Sequence, residues 1–272
     1  MCIRDSPTTL AGALNANGKV FVVNENGVYF TPTATINAHS FAASTLALSN
    51  DDFLLDMGCG EGRHSIGAYI ETKVNVLGFD ISINDLRIAK GRLDDFDTSN
   101  IQSLCQFGSA DIISLPFADC SLDAVICSEV LEHVDSPQKS IEELIRVLKP
   151  GGILALSVPR YLPELICWKL SKEYSKTPGG HVRIFRHNQL KTLGTENGLE
   201  YQNFHWAHGL HSPYWWLQCL FWKTREKSYI VKQYHKLLVW DLMKQPLITK
   251  ILEKFLQPLI GKSLVMYFRK PI

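Results

Sequence analysis

The chain has 272 residues, a hydrophobic fraction of 46% and a formal net charge of +1. This length and composition suit one large globular domain, or a domain with an insertion, and exclude a mainly disordered chain. The balanced charge excludes a global basic field, so no nucleic-acid partner is expected. The seven cysteines are scattered singly, without a C-x-x-C pair, which favours a reducing cytoplasm over a disulfide framework.

No transmembrane helix is predicted. No N-terminal apolar run has the length of a signal peptide, and the longest uncharged stretch, 201–222, contains three histidines and a proline. Residues 1–45 are interpreted as an N-terminal extension. Residues 1–6 have no periodicity and are left out of the fold prediction. Within the extension, VFVVNENGVYF predicts a hairpin that turns at Asn26-Gly27.

The most informative stretch is FLLDMGCGEGRHS at residues 53–65, in which an apolar strand leads through an acid into a Gly-x-Gly-x-Gly turn and a helix. Gly58 and Gly60 permit backbone angles closed to other residues and let a ligand approach the main chain. Gly62 lets the helix start close to the sheet. The amides at that helix start favour an anionic group.

From residue 52 to residue 159, short apolar runs alternate with helical periodicity, which is typical of a doubly wound α/β sheet of the Rossmann type. Ser82 and Asp85 have capping-box spacing, and Ser136-Pro137 opens a further helix. The face of the first of these helices is predicted to carry Leu86, Ala89, Leu93 and Phe96. Strands are predicted at about 53–57, 74–79, 101–107, 122–127 and 152–158.

Polar residues follow consecutive strands: Asp56, Asp80, Asp111 and the pair Ser128-Glu129. The carboxyl ends of parallel strands meet at one edge of the sheet, where ligands of such folds bind. A single acid there could be a solvated loop residue or a helix cap. Four consecutive occurrences indicate a ligand site.

The second half of the chain has a different pattern. Residues 160–198 form a connector that ends in a predicted helix from Asn188 to Glu196, followed by a strand at 199–208. A helical insertion is predicted at 210–261, before a last strand at 264–268. The predicted organisation is therefore a core at 46–209, the insertion at 210–261, and a segment at 262–272 that closes the core.

Four runs together resemble the class I S-adenosylmethionine-dependent methyltransferases, in particular methyltransferase type 11, which includes quinone-biosynthesis enzymes. They are LLDMGCGEGRH, GFDIS, GSADIISLPFADCSLDAVICSEVLEHV and LIRVLKPGGILALSVP, within residues 50–160. The resemblance implies S-adenosyl-L-methionine as cofactor. It also implies a mostly parallel seven-stranded sheet whose last strand is antiparallel, here with a helical insertion before that strand.

The resemblance also implies the cofactor-binding residues. Asp80 would accept hydrogen bonds from the ribose hydroxyls and Asp111 from the adenine amine, in keeping with the acceptor chemistry of carboxylates. The remaining implied contacts are Asp56 shaping the turn, Gly58, Cys59 and Gly60 in the turn beside the methionine part, Ile81 and Ile112 flanking the base, and Ser128 and Glu129 near the sulfonium.

A sulfonium is an activated methyl donor, so catalysis can consist largely of alignment and exclusion of water. If the acceptor is an alcohol, a general base helps, and His133 at the end of SEVLEH is the first candidate. Its alternative role is to pack the following turn. His181 and Arg183 in GGHVRIF are the next candidate site residues, because the resemblance implies that this segment reaches the substrate pocket; a solvated loop is the alternative.

His205, His208 and His211 recur every third residue, but an extended segment puts neighbours at that spacing on opposite faces. No metal site is therefore expected. The insertion has eight Lys or Arg against three acids and a tryptophan-rich run at 215–222. It could rest on an anionic bilayer, cover an apolar acceptor, or pack against the core.

The preferred hypothesis is methyl transfer to a small or lipid-linked acceptor, such as a sugar hydroxyl or a quinone-like ring, at oxygen in preference to carbon or nitrogen. A nicotinamide-dependent oxidoreductase is the alternative enzyme, although its pattern is Gly-x-Gly-x-x-Gly. A catalytically silent, cofactor-binding or membrane-recruited partner protein is the alternative from another class. The sequence leaves the acceptor and the oligomeric state open.

Overall fold

The structure is a computed structural model, which describes residues 51–272 except 97, 99, 100, 178 and 245. Before residue 51 it describes the backbone of six short strands. These are β1 (Thr8–Leu10), β2 (Ala13–Asn15), β3 (Val20–Val23), β4 (Val28–Phe30), β5 (Thr35–Asn37) and β6 (Phe41–Ser44).

The six strands form three parallel pairs: β1 with β4, β2 with β5, and β3 with β6. A hairpin would instead have joined β3 to β4 in antiparallel pairing, so the predicted hairpin is wrong, and its turn at Asn26-Gly27 lies outside the described residues. Apolar runs and turn residues are local signals. They predict strands, whereas the partner of each strand depends on contacts between distant parts of the chain.

The main sheet has seven strands in the order β12-β13-β11-β10-β7-β8-β9. All neighbours are parallel except those of β13, which is antiparallel to both β11 and β12. The predicted fold class is confirmed. The strands are β7 (Phe53–Met57), β8 (Asn75–Asp80), β9 (Cys105–Ser109), β10 (Leu122–Ser128), β11 (Leu148–Pro159), β12 (Glu200–Ala207) and β13 (Ser263–Arg269).

Nine helices are described between residues 51 and 272, and α7 to α9 lie between β12 and β13. None of the described helices is both long and apolar enough to cross a bilayer. The helices are α1 (Arg63–Thr72), α2 (Ile83–Asp94), α3 (Pro137–Val147), α4 (Tyr161–Leu170), α5 (Lys172–Ser175), α6 (His187–Thr195), α7 (His211–Leu220), α8 (Tyr229–Lys244) and α9 (Leu247–Ile260).

Local signals account for several boundaries. The Ser82 side chain accepts from the Asp85 amide and caps α2, and Pro137 is the first residue of α3. Two details differ from the predictions. The ladder with β8 starts at Cys105, so β9 begins four residues later than predicted. Phe96 lies beyond the end of α2 and is half exposed, instead of extending its buried face.

The main hydrophobic core lies between the central strands and helices α3 and α6. Ile141, Leu144 and Leu190 from these helices are fully buried against Leu154 and Phe268 of the sheet. Burial of each such side chain contributes about 1.5–3 kcal/mol to stability. This packing holds the strand ends, and the loops that follow them, in fixed positions.

Candidate active site

The loops after β7, β8 and β10 lie at one edge of the sheet. β7 is flanked by β8 on one side and β10 on the other, and the chain continues outward in both directions from this point. Open α/β sheets bind ligands at such a switch in strand order. The predicted site residues Asp56, Asp80 and Glu129 belong to these strand ends or directly follow them.

The glycine turn after β7 is attached to the end of β8. The amides of Gly58 and Cys59 both donate to the Phe79 carbonyl oxygen, at 2.7 and 3.0 Å. Gly58 has φ +78°, and a Cβ atom there would lie 2.1 Å from Cγ2 of Val130. Gly60 has φ +50°, but no atom of the described residues lies within 4 Å of the position of its Cβ. The turn is therefore closely packed at Gly58 and open at Gly60.

Gly62 has the role that the sequence predicted. It precedes α1 with φ +79°, and a Cβ atom there would lie 2.8 Å from Cβ of Ala89 and 3.1 Å from the Phe107 ring. The missing side chain lets α1 start against α2 and β9. The amides at the start of α1 consequently lie near the glycine turn.

Asp80 is held by backbone amides on both of its oxygens. Oδ2 accepts from the Gly60 amide and Oδ1 from the Ser82 amide, each at 2.8 Å. Each carboxylate oxygen can accept more than one hydrogen bond, so both retain acceptor capacity. A half-buried carboxylate fixed in this way can accept from the two hydroxyls of a ribose.

Asp56 is a buried carboxylate below the glycine turn. Its Oδ2 accepts from the Ser65 hydroxyl at 2.6 Å, whereas Oδ1 has no hydrogen-bond partner among the described residues. Burial raises the pKa of Asp56 above its ordinary value. Burial also raises the pKa of Cys59 to about 12, so its thiol stays protonated and acts as a small apolar group.

The residues predicted to hold an adenine differ in accessibility. The Ile81 side chain is 72% exposed, and Asp111 is exposed, with Oδ1 accepting from the Ile113 amide at 3.2 Å. Ile112 is only 4% exposed and belongs to the main core, so its side chain offers little surface to a base. The contacts of these three residues with an adenine stay predictions. Ile81 and Asp111 are more accessible to a ligand than Ile112 is.

Glu129 has a strained backbone, with φ +56°. Its amide donates to the Ser157 carbonyl at 2.8 Å, and the Ser157 hydroxyl donates to Oε1 of Glu129 at 2.7 Å. The neighbouring Ser128 is the register partner of Ser157 in the sheet. A non-glycine residue at positive φ costs on the order of 1–3 kcal/mol, and such strain is concentrated at functional sites.

The structure brings the two predicted catalytic histidines together. The rings of His133 and His181 are 4.9 Å apart and nearly perpendicular. Nδ1 of His133 lies 3.2 Å from the Gly180 carbonyl, and Nδ1 of His181 lies 2.6 Å from Oε1 of Glu164. Since both partners are acceptors, each Nδ1 carries the proton. The Nε2 atoms are then free to accept or to bind a ligand.

Backbone contacts explain why His181 reaches His133. The Val182 amide donates to the Glu132 carbonyl at 2.9 Å. The Arg183 guanidinium donates to the carbonyls of Leu131 at 2.9 Å and Asp135 at 3.1 Å, and also to that of Val134. Arg183, predicted as a substrate-pocket residue, thus fastens its own segment onto the turn after β10.

Two buried acids that the sequence analysis did not select complete this cluster. Glu132 is fully buried, and neither of its oxygens has a hydrogen-bond partner among the described residues. Burial and the nearby charge of Glu129 raise the pKa of Glu132 to about 9. The sequence did contain a signal for Glu132, because this acid directly precedes His133 in the SEVLEH run.

The second acid, Glu164, is well paired. It accepts from the Tyr174 hydroxyl at 2.9 Å and from Trp168 Nε1 at 3.2 Å, in addition to His181, and Lys262 Nζ lies 3.6 Å from Oε2. Burial alone would raise the pKa of Glu164, but the contacts with His181 and Lys262 lower it below its ordinary value. A lone acid within the apolar run YLPELICW was the available sequence signal.

Helix α7 of the insertion lies beside this cluster. The rings of Trp215 and Trp222 are 6.0 and 5.5 Å from the ring of Tyr174. The indole of Trp216 donates to the Pro163 carbonyl at 3.0 Å, which attaches α7 to α4. The half-buried tryptophans therefore form an aromatic wall next to Tyr174 and His181.

The histidines at every third position lie elsewhere. His205 stacks on Tyr267 at 5.8 Å, and the rings of His208 and His211 are 5.2 Å apart. Within the described part of the chain, the group with ligand atoms all within 4.8 Å of one another is Glu132, His133 and His181. This group was not considered as a metal site from sequence.

Two family models match the chain. A model described as a methyltransferase domain matches residues 55–156, and a model described as a TPS secretion domain matches residues 3–59. The first match includes β7 to β10 and most of β11, and with them every predicted cofactor residue. The second match falls mainly on the segment before residue 51.

Curated relatives share parts of the sequence. A demethylmenaquinone methyltransferase of Renibacterium salmoninarum is 36% identical over 104 residues, 38% of this chain and 40% of that protein. A 27-O-demethylrifamycin SV methyltransferase of Amycolatopsis mediterranei is 32% identical over 168 residues, 61% of each chain. The chain thus spans less than two thirds of the length of these relatives.

Solved structures share the fold. The structure of the [4+2]-cyclase SpnF has a TM-score of 0.56 and 21% identity, with coverage of 83% of this chain and 76% of that one. A geranyl diphosphate methyltransferase in complex with GPP and sinefungin has a TM-score of 0.56 and 14% identity, with coverage of 82% and 74%. At sequence identities of 21% and 14%, the similarity shows a shared fold.

Proposed function

Because the chain belongs to the type 11 group of class I S-adenosylmethionine-dependent methyltransferases, we propose that it transfers a methyl group from S-adenosyl-L-methionine to an oxygen of a small or lipid-linked acceptor. One observation carries the proposal. An open glycine turn tied to Asp80 and a pair of histidines lie after neighbouring strands at the same edge of the sheet.

The chain's residues fit the proposed cofactor. The open space at Gly60 admits the ligand's main body, while Asp80 has free acceptor capacity for the ribose. The helix start that follows Gly62 would provide backbone amides for the charged amino-acid end. Asp111 and Ile81 would contact the adenine from the accessible side.

The reaction depends mainly on alignment of the acceptor oxygen, the methyl carbon and the sulfur, and it needs no side chain as a covalent nucleophile. When bound, the sulfonium supplies an electrophilic methyl group; its carbon–sulfur bond breaks as the bond to the acceptor oxygen forms, and the acceptor loses its proton. The strained turn at Glu129 and the adjoining segment fix the floor of the crevice. We assign activation of the acceptor hydroxyl to His133 and His181.

The nicotinamide-dependent alternative has less support. Its doubly wound sheet has the order 3-2-1-4-5-6 and a Gly-x-Gly-x-x-Gly turn. Here β13 is inserted antiparallel between β11 and β12, and the glycines are spaced as Gly-x-Gly-x-Gly. Cofactor titration with S-adenosylmethionine and with NADH separates the two classes, and heat with NADH alone would refute our proposal.

Replacement of Asp80 tests the cofactor site. We expect Asp80→Ala to weaken binding of S-adenosylmethionine at least tenfold, because loss of charge-assisted hydrogen bonds costs about 1.5–3 kcal/mol. Isothermal titration calorimetry measures this directly. Asp94→Ala, the same change at an exposed position near the end of α2, is the matched control and should bind as the parent does. Equal affinity of all three proteins would contradict the assigned pocket.

Turnover separates an enzyme from a silent binding protein. Release of S-adenosylhomocysteine should occur only when an acceptor is supplied, so a panel of catechols, hydroquinones, sugars and their lipid-linked forms is the appropriate test. Cofactor binding without product from any acceptor in the panel would favour the silent partner protein. Methylated product identified by mass spectrometry would also identify the acceptor atom.

The insertion at 210–261 is proposed to cover the acceptor. Its first helix, α7, forms the aromatic wall beside Tyr174 and His181. Glu253 of α9 accepts from the amides of Gly209 and Leu210 at 2.7 Å each, which fastens α9 to the start of α7. A lid of this composition suits an apolar or lipid-linked acceptor.

A further inference from the structure

We propose that Glu132, His133 and His181 bind a divalent transition-metal cation. One carboxylate oxygen and two imidazole nitrogens converge at this point: Oε1 of Glu132 lies 3.8 Å from Nε2 of His133 and 3.9 Å from Nε2 of His181. Together these atoms form a compact group of one oxygen and two nitrogens.

The protonation pattern leaves the converging atoms available. The Gly180 carbonyl accepts a hydrogen bond from Nδ1 of His133, and Glu164 accepts one from Nδ1 of His181. The two Nε2 atoms near Oε1 of Glu132 are then available as ligand atoms. A histidine that donates its other ring N–H to a carboxylate or a carbonyl is the usual arrangement behind a metal ligand.

The Glu132 side chain lies buried between these two histidines. Glu132 is 0% exposed, and both of its oxygens lack a hydrogen-bond partner. Leaving a buried polar group without a partner costs about 1–3 kcal/mol, and more for a charge. A cation held by Oε1 and the two Nε2 atoms would satisfy this side chain.

The surrounding contacts hold the three ligands in place. Val182 and Arg183 fasten the His181 segment to the turn that contains Glu132 and His133. Ligand bonds of about 2.0–2.2 Å require Oε1 of Glu132 to approach the two Nε2 atoms, which lie 3.8 and 3.9 Å away, by less than about 1 Å. The His133 side chain is 36% exposed, so solvent reaches one side of the group.

The ligand set favours certain metals. Imidazole nitrogen suits Zn²⁺, Fe²⁺, Co²⁺ and Ni²⁺, whereas carboxylate oxygen also suits Mn²⁺, and two histidines with one carboxylate leave open coordination positions. Mg²⁺ prefers oxygen ligands and is the less suitable cation. Open positions on the accessible side of His133 would face a bound substrate.

The consequence for the acceptor rests on the proposed function. A cation with open positions would bind the reacting hydroxyl together with an adjacent oxygen, which selects a catechol or a vicinal diol. It would lower the pKa of that hydroxyl. The hydroxyl proton would pass to solvent, the oxygen would form its bond to the methyl carbon, and the carbon–sulfur bond would break. His133 and His181 would act as metal ligands and not as the direct base.

Cobalt binding by the full chain tests the site without any acceptor. We expect chelator-treated protein to bind one Co²⁺, seen by calorimetry and by d–d absorption in the visible range. His133→Ala, His181→Ala and Glu132→Gln should each weaken binding by more than about 10–100-fold, the loss caused by outer-sphere changes alone. Circular dichroism of each variant verifies folding. His133 is partly exposed, so its replacement should disturb the fold least of the three.

Two controls exclude other histidines. His208→Ala removes a member of the other histidine group, and His235→Ala removes an exposed histidine of α8; both should bind Co²⁺ as the parent does. Absence of binding at millimolar Co²⁺, or equal affinity in all three ligand variants, would overturn the proposal. S-adenosylmethionine titration of the same proteins distinguishes this failure from failure of the proposed function.

Discussion

At the scale of single residues, the glycine turn separates packing from ligand access. Gly58 and Gly60 both have positive φ, but a side chain at Gly58 would meet Val130, whereas one at Gly60 would meet no atom of the described residues within 4 Å. The same sequence motif therefore contains one glycine required by the fold and one whose open side suits a ligand.

Alanine substitutions should separate these two roles. We expect Gly60→Ala to fold, with a loss of about 1–2 kcal/mol for a left-handed backbone, and to lose most S-adenosylmethionine affinity. Gly58→Ala should lose more stability because the overlap with Val130 adds about 1–3 kcal/mol, and Val130→Ala in that background should restore part of it. Thermal unfolding and calorimetry measure both. Normal cofactor affinity of Gly60→Ala would contradict the assigned ligand position.

At the scale of elements, Arg146 joins α3 to the segment that follows β9. Its Nε and Nη2 donate to the two oxygens of Glu143, each at 2.8 Å, and Nη1 donates to Asp119 at 2.6 Å. The same guanidinium donates to the carbonyls of Leu115 and Phe117. That segment begins with the predicted adenine-binding acid, so this network also positions the cofactor site.

Hydrogen bonding by Arg146 lowers the pKa of Glu143 below its ordinary value of 4.5. The stabilisation is therefore complete above about pH 4.5 and is lost as the pH falls through the lowered pKa. We expect Arg146→Ala to lose about 1–3 kcal/mol at pH 7 and less near pH 3–4, measured by urea unfolding.

Arg92→Ala provides the matched control for this network. Arg92 pairs with Glu61 on the surface, where both side chains are nearly half exposed. Its loss should cost under about 1 kcal/mol. If the two arginine variants were equally stable, or if the effect of Arg146→Ala were the same at pH 7 and near pH 4, the proposed role of the network would be wrong.

At the scale of the whole molecule, α8 and α9 present a large apolar surface. In α9, Leu247, Phe255 and Leu259 are 67%, 68% and 66% exposed, and α8 exposes Tyr229 and Met243 to a similar degree. Exposed apolar patches of this kind mark interaction surfaces. We propose an anionic bilayer as the partner, since residues 210–261 contain eight Lys and Arg against three acids.

Vesicle binding tests this surface. We expect the protein to sediment with vesicles that contain phosphatidylglycerol and to bind weakly to pure phosphatidylcholine, with binding reduced by salt. Phe255→Glu and Leu259→Glu should reduce binding, whereas Ile88→Glu, the same kind of change on α2, should not. A stable dimer that buries the α8–α9 surface, or equal binding to both vesicle types, would contradict a bilayer partner.

Much of the core was predictable because its signals are local. The glycine turn, the cap at Ser82, the proline at the start of α3 and the acids after successive strands all act within a few residues. Their order along the chain predicted the sheet and the cofactor edge. The pairing of the strands at 20–23 and 28–30 could not be predicted in this way, because strand pairing before residue 51 joins residues about 20 apart.

The sequence by itself determined the fold class, the glycine turn and the order of polar residues that follow successive strands, since periodicity and turn chemistry act between near neighbours. Only the tertiary structure decided that Glu132 is buried without a hydrogen-bond partner among the described residues, and that His181 lies beside His133, 48 positions earlier in the chain. It also decided that Ile112 is buried while Ile81 is exposed. Burial and convergence arise when distant segments pack, and no local pattern encodes that geometry.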